Sequence, residues 1–312
     1  MQFSVIICTY NRSRNLSGCL TPLAEQVDVV DIDWEVVIVD NNSADNTREV
    51  VLGLSDELPI EIKYAFEKRQ GLNFARNRGI EASSGRYFAF IDDDIVVTSC
   101  WLSSMCQAFD EHDADAVGGR IHLDPSSKLP SWISQEMYGF LGHQDFGEDV
   151  FQMDGASRYP FGGNMAFKRR VVDKIGLFNT ALGRKGTGRK REELFKGAET
   201  DFFHRLSAAG GRIFYQPRAV VYHHILPFQL TKRYFRTIHY NAGLQKAYHD
   251  ESEYQRTLMG VPLFLFPQLG RAIGKYLLQL VTKGADAAFR QQMTVGHFAG
   301  MIQGYVKRGH HA

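Results

Sequence analysis

The sequence predicts an α/β fold built on a parallel sheet, and three observations carry that expectation. Short β-branched apolar runs alternate with helix-spaced segments over roughly the first ninety residues. Strands separated by helical crossovers pair in parallel, because the crossover returns the chain to the same end of the sheet. Three of the runs end in polar clusters, Thr9-Tyr10-Asn11, Asp40-Asn41-Asn42-Ser43 and Asp92-Asp93-Asp94. Ligands of open α/β sheets bind beyond the carboxyl ends of the strands, where loops and helix N-termini converge. The three clusters therefore mark the expected site.

Phe3 to Thr9 reads as the first, buried strand. Residues 12–26 place Leu16, Leu20 and Leu23 at helical spacing. Trp34 to Val39 is a second strand ending at Asp40, and Ser43 is positioned to cap a helix near 44–54. A third strand near Ile60 to Tyr64, a helix near 72–83 and a fourth strand from Tyr87 to Ile91 follow.

The 312 residues suit one large domain or two modest ones. A hydrophobic content of 44% with 23% charged residues argues against disorder. With 36 Lys and Arg against 35 Asp and Glu, nothing in the global balance points to nucleic acid. Cys8, Cys19, Cys100 and Cys106 form no C-x-x-C pair, which argues against zinc ribbons and dithiol redox chemistry. The apolar N-terminal run is too short for a signal peptide and has no basic region before it, so a reduced, cytoplasmic protein is expected. The charge is unevenly spread. Residues 229–312 carry 11 Lys and Arg against 4 Asp and Glu, leaving 25 against 31 for residues 1–228. The two parts are expected to meet different partners.

Three adjacent carboxylates at a strand end repel one another, and a cation relieves that repulsion. Asp92 and Asp94 can turn oxygens toward one hard divalent ion that phosphate oxygens also hold. The alternative is a solvated acidic turn capping a helix that begins near Ser99.

Seven motifs in order decide between these readings. They are Cys8-Thr9-Tyr10-Asn11-Arg12, Val39-Asp40-Asn41-Asn42-Ser43, Gly71-Leu72-Asn73-Phe74-Ala75-Arg76-Asn77, Ile91-Asp92-Asp93-Asp94, Phe161-Gly162-Gly163-Asn164-Met165-Ala166-Phe167, Glu199-Thr200-Asp201 and Tyr222-His223-His224. Together they closely resemble the ordered motifs of family-2 glycosyltransferases, over about residues 1–228. The resemblance implies a GT-A fold, a Rossmann-like nucleotide-diphospho-sugar transferase fold, here with a helical C-terminal extension. It divides 1–228 into a nucleotide-binding half, about 1–120, and an acceptor-binding half, about 121–228, with 229–312 as the basic extension.

By resemblance, Thr9, Tyr10 and Asp40 line the pocket for nucleobase and ribose. A carboxylate such as Asp40 accepts the N3 hydrogen of uracil, which favours a UDP-sugar. Asp40 and Ser43 also suit a helix-capping arrangement, and Tyr10 suits a packed core position. Arg76 is placed toward the nucleobase or diphosphate, where a planar guanidinium matches phosphate and carbonyl oxygens. Asp92, Asp94 and His223 are the expected ligands of Mn²⁺ or Mg²⁺, with His224 competing for the histidine position and Asp93 nearer the donor sugar or ribose.

The family commonly has an acidic pair before the late helix. Here Ala198 stands where one acid is frequent, leaving Glu199 as the first candidate base and Asp201 as the second. An acidic first helical turn also arises for dipole reasons alone. Glu199 would deprotonate the acceptor hydroxyl in a single, inverting displacement.

Gly162, Gly163 and Asn164 are expected on the acceptor side, where glycine permits close approach, although a tight turn explains them too. Trp132 is expected either to stack on an acceptor sugar or to pack in the core. The basic loop from Gly183 to Lys196 lacks P-loop spacing and reads as a loop closing over the diphosphate, or as a solvated one.

In the extension, Leu269, Ala272, Ile273, Tyr276, Leu277, Leu280 and Val281 fall on one helical face, with Arg271, Lys275 and Lys283 away from it. No apolar stretch reaches the length of a membrane span. Peripheral attachment to an anionic membrane is expected, against a helical subdomain or a dimer contact. The expected function is transfer of a sugar from a nucleotide-sugar to a saccharide or lipid-linked acceptor in surface-glycan synthesis. The alternative is a non-catalytic nucleotide-sugar-binding or scaffold protein on the same fold.

Overall fold

A computed structural model describes residues 2–186, 193–194, 197–248, 250 and 252–309. Two compact units are present. The first comprises residues 1–128, 136–187 and 197–225, and the second 129–135, 188–196 and 226–312.

The first unit is a mixed sheet with helices on its faces. Strands β1 (Phe3–Thr9), β2 (Trp34–Asp40), β3 (Ile62–Phe66) and β4 (Tyr87–Asp92) alternate with helices α1 (Leu16–Ala24), α2 (Thr47–Glu57) and α3 (Leu72–Ala82). They lie in the order β3-β2-β1-β4 and pair in parallel, as the alternation of apolar runs predicts. Both faces are buried, so these strands are apolar almost throughout: Val5, Ile7, Val36 and Ile38 pack into one core and Ile6, Val37, Val39 and Phe90 into another.

Beyond β4 the parallel pattern ends. After β5 (Ile95–Val97) and α4 (Trp101–His112) come β6 (Ala116–Leu123), β7 (Phe151–Met153), β8 (Met165–Lys168), α5 (Arg169–Ile175), α6 (Ala198–Ala208) and β9 (Ile213–His223). β8 pairs antiparallel with β4 and β6, and β9 runs parallel to β6 but antiparallel to β5 and β7. The β6–β9 register shifts between Gly119 and Arg120, opposite the segment of β9 that holds Pro217. A proline that cannot donate to the ladder belongs at such a bulge. Asn164, wholly buried, donates to the carbonyls of Arg120 and Ala219 there and accepts from the Trp101 indole.

Ser43 does not cap α2. Its N–H donates to Asp40 Oδ1 and its hydroxyl accepts from the backbone of Asn11, so it ties the end of β1 to that of β2.

The second unit is helical. α7 (Lys232–Tyr248) packs against α8 (Leu265–Gly309), which is broken at Gly284, whose φ of 83° only glycine adopts readily. A short hairpin of β10 (Thr257–Leu258) and β11 (Val261–Pro262) lies between them. Gly243 of α7 abuts the backbone of His297, and Gly300 abuts that of Tyr240, so these two helices cross at glycine distance. Trp132 belongs to this unit, edge-on to Phe235 at 5.2 Å and Phe289 at 4.9 Å.

The face expected to be uniformly apolar is divided. Ala272 is buried, and Leu269, Tyr276 and Leu280 are half-buried, whereas Ile273, Leu277 and Val281 point outward. No helix of the described residues is long and apolar enough to cross a membrane.

Candidate active site

Sheet register assembles the site. β1 lies between β2 and β4, with Thr9 opposite Asp40 and Cys8 opposite Asp92, so three polar strand ends stand side by side. Asp40 is buried. Its Oδ1 accepts from Ser43 N–H at 2.8 Å and its Oδ2 from the Tyr64 hydroxyl at 2.8 Å. Each oxygen keeps a further lone pair for a ligand. Tyr10 is half-buried just beyond β1.

Asp93 is an anchor. It accepts from Thr9 Oγ1 at 2.7 Å and from Arg12 Nη1 at 2.8 Å, and the same Arg12 nitrogen reaches Asp94 Oδ2 at 3.1 Å. Burial raises the Asp93 carboxyl despite the pull of Arg12. Thr9, expected at the nucleobase, thus spends its hydroxyl on the acidic turn. Arg12 is the functional residue that motif reading passed over. Three carboxylates at one strand end demanded a counter-charge, and Arg12 closes the very motif that begins at Cys8.

Pairing of β5 with β9 puts Ile95 opposite His223 and brings that histidine to Asp94. His223 Nδ1 lies 2.7 Å from the Leu141 carbonyl oxygen, and Nε2 lies 3.3 Å from Asp94 Oδ1. Asp94 Oδ1 is buried and accepts no hydrogen bond. Burial raises the Asp94 carboxyl, but His223 and Arg12 outweigh it and hold it below its ordinary value; Asp94 in turn raises His223 against burial. With the proton on Nδ1 facing Leu141, Nε2 and Oδ1 present two lone pairs to one point, which suits a divalent cation. With Nε2 protonated the same atoms form an ion pair. His224 points elsewhere, 3.1 Å from Asp124. Among the described residues no three His, Cys, Asp or Glu side chains converge as a metal-ligand set. A cation here would draw its remaining ligands from diphosphate oxygens or water.

Asp92 interacts electrostatically with Asp94, His223 and Arg76 and also lies against the glycine turn. A Cβ built on Gly163 would lie 3.3 Å from Asp92 Oδ2, and one on Gly162 would overlap Arg76 Nη2 and Glu199 Oε1. Neither glycine has a positive φ, so the turn that Asn164 N–H closes onto the Phe161 carbonyl needs them for space and not for backbone conformation. Arg76, 2% exposed, donates from Nη2 to Glu199 Oε1 at 2.8 Å and lies 5.2 Å from the Phe178 ring centre. Its Nη1 is buried with no acceptor. Burial would raise the Glu199 carboxyl, yet Arg76 holds it below the ordinary carboxylate value. The positive charge of Arg184, in the basic loop, also favours ionised Glu199, Asp92 and Asp94. Residues 187–192 and 195–196 of that loop lie outside the described residues. Asp201 is turned to Arg205, 2.9 Å away on the same helix.

Gly162 yields a direct test. Gly162→Ala is expected to keep the fold but push the Arg76–Glu199 pair out of line, lowering turnover about a hundredfold. Melting temperature and initial rate measure this; unchanged turnover would show that the pair needs no such alignment.

Residues 4–176 match the family model described as Glycosyl transferase family 2. A relative from Haloferax volcanii, a glucosyl-dolichyl phosphate glucuronosyltransferase, is 27% identical over 237 residues, 73% of this chain and 71% of that protein. The mannosyltransferase PcManGT from Pyrobaculum calidifontis, solved with GDP-Man and Mn²⁺, shares the fold at a TM-score of 0.63 and 18% identity, over 96% of this chain and 85% of that one. S. aureus TarS 1–349, solved with UDP, does so at 0.55 and 19%, over 100% and 91%. The shared architecture is the GT-A fold.

Proposed function

The chain belongs to glycosyl transferase family 2, and we propose that it moves a sugar from a UDP-sugar to a hydroxyl of a saccharide or lipid-linked acceptor with inversion at the anomeric carbon. The observation that carries this reading is the meeting of two groups at Gly162 and Gly163: an acidic turn, with Asp92 against Gly163 and a buried Asp94 oxygen facing His223 Nε2, and a carboxylate, Glu199, oriented by a buried arginine.

In this reading Asp40 and Tyr10 meet the nucleobase and ribose, Asp40 accepting the uracil N3–H. Arg76 Nη1 and Arg184 donate to the donor diphosphate. Asp94 and His223 would hold Mn²⁺ or Mg²⁺, which supplies charge neutralisation on the departing diphosphate. The proton of the acceptor hydroxyl passes to the Glu199 oxygen that Arg76 does not engage. The acceptor oxygen forms a bond to the anomeric carbon from the face opposite the diphosphate. The carbon–oxygen bond to the diphosphate breaks, and its electron pair leaves with the nucleotide. Arg76 fixes the direction of Glu199 throughout. The neighbours solved with UDP and with GDP-Man show that the fold admits either base, so the preference for uridine rests on Asp40. Peripheral contact with an anionic membrane is part of the same reading, because the basic extension would bring the enzyme to lipid-linked acceptors.

The test is thermal stabilisation by a panel of nucleoside diphosphates and sugar nucleotides, with and without Mn²⁺. Stabilisation by one UDP-sugar, enhanced by Mn²⁺, is expected from mass action on the folded state. No stabilisation by any nucleotide would favour the non-catalytic scaffold.

A further inference from the structure

We infer that the outward face of the first half of α8, residues 265–283, is the surface that inserts into an anionic lipid leaflet. This deepens the membrane contact proposed above and rests on it. A helix of a water-soluble unit buries one apolar stripe and wets the other. Here one stripe, Leu265, Leu269, Ala272, Tyr276 and Leu280, is buried or half-buried, and Gln291 and Gln292 of the following helical segment bond to Ala272 and Tyr276. The neighbouring stripe is apolar as well. Phe266, Ile273, Leu277 and Val281 recur at helical spacing, with small Gly270 and Gly274 between them, and all four are exposed. Val281 is 85% exposed and neighbouring Leu278 64%. Leu258, Met259, Leu263 and Phe264, in and just after the hairpin that leads into the helix, are exposed too. Exposed apolar side chains grouped in this way along one segment mark an interaction surface.

Charge selects the occupant. Between Glu253 and Asp286 the chain has no acidic residue, while Arg256, Arg271, Lys275 and Lys283 supply four cations. All four are exposed. By helical geometry Arg271 and Lys275 neighbour exposed Leu278, at i+7 and i+3, on the flank of the outward face beyond Val281, where their stems can lie along acyl chains while the charged ends reach headgroup phosphates. A second copy of this face would set cations against cations with no acid to answer them. An anionic lipid surface answers both the apolar stripe and the cations.

The full chain is mixed with vesicles of phosphatidylcholine alone or with phosphatidylglycerol, at low salt, and floated. Wild type is expected to float with the mixed vesicles. Leu277→Glu with Val281→Glu is expected to reduce partitioning about tenfold or more. Val281→Trp is expected to shift its emission to the blue on adding the anionic vesicles only. Nucleotide-dependent stabilisation, measured on the same variants, is expected to be unchanged, because neither Leu277 nor Val281 belongs to the proposed donor site. Loss of flotation with that stabilisation intact therefore isolates this surface. Equal binding of wild type and the double variant would overturn the inference. So would a blue shift that grows with protein concentration without lipid, since a second copy would then cover the stripe. Lipid binding without any nucleotide stabilisation would uphold this surface and refute the transferase reading.

Discussion

Glu199→Gln is expected to lower turnover about 10²–10⁴-fold, the range that a positioned general base contributes. Donor-dependent thermal stabilisation should persist, because glutamine still accepts the hydrogen bond from Arg76 while losing the ability to take a proton. Glu199→Ala is a harsher change. It leaves the Arg76 guanidinium, 2% exposed, without its partner and is expected to destabilise the fold by about 3–5 kcal/mol. The pH dependence follows from the sign of the shift. Arg76 holds Glu199 below its ordinary 4.5, so the base stays ionised through the neutral range and the rate falls only as pH drops below ordinary carboxylate values. The stability from this pair is likewise present above 4.5 and lost as pH falls through the folded value. An acidic limb near neutrality would assign the base to another group. Asp201→Asn is expected to cost far less, since that carboxylate bonds Arg205.

The second large effect is at Asp94. Asp94→Asn is expected to abolish the increment in nucleotide stabilisation that Mn²⁺ provides, and to lower turnover about 10²–10³-fold, as loss of charge stabilisation at a leaving group does elsewhere. Its Oδ1 is the buried oxygen that faces His223 Nε2, and the substitution removes its charge with little change of shape. A variant that kept the Mn²⁺ increment would place the cation elsewhere or remove it from the reaction. Asp93→Asn differs in kind: it weakens the Thr9 and Arg12 bonds of the turn and should reduce folding stability.

The half of the fold that could be read in the sequence is the half whose contacts are local in pattern. β1 to β4 are apolar runs closed by polar residues, and their parallel order follows from the helices between them. The mixed half could not be read this way, because β6 and β9 are held by a bulge at Gly119 and Pro217 and by the buried Asn164 amide, features without periodicity. The site shows the same division. Asp92, Asp93 and Asp94 declare themselves by mutual repulsion, but their division of labour depends on partners far along the chain, Arg12 for Asp93 and His223 for Asp94. Arg76 and Glu199 are 123 residues apart, and only the three-dimensional structure reveals that they form a pair. In α8, periodicity located an apolar helix but could not say which of its apolar sides the rest of the unit would leave uncovered.

The most direct measurement is release of nucleoside diphosphate from a panel of sugar nucleotides, with acceptor saccharides and Mn²⁺, by wild type, Asp94→Asn and Glu199→Gln side by side. The expected result is Mn²⁺-dependent release by wild type from a UDP-sugar, with both variants folded, Glu199→Gln binding donor but not turning over, and Asp94→Asn losing the Mn²⁺ response. Wild-type rates in both folded variants would contradict the assignment of cation and base to these two carboxylates.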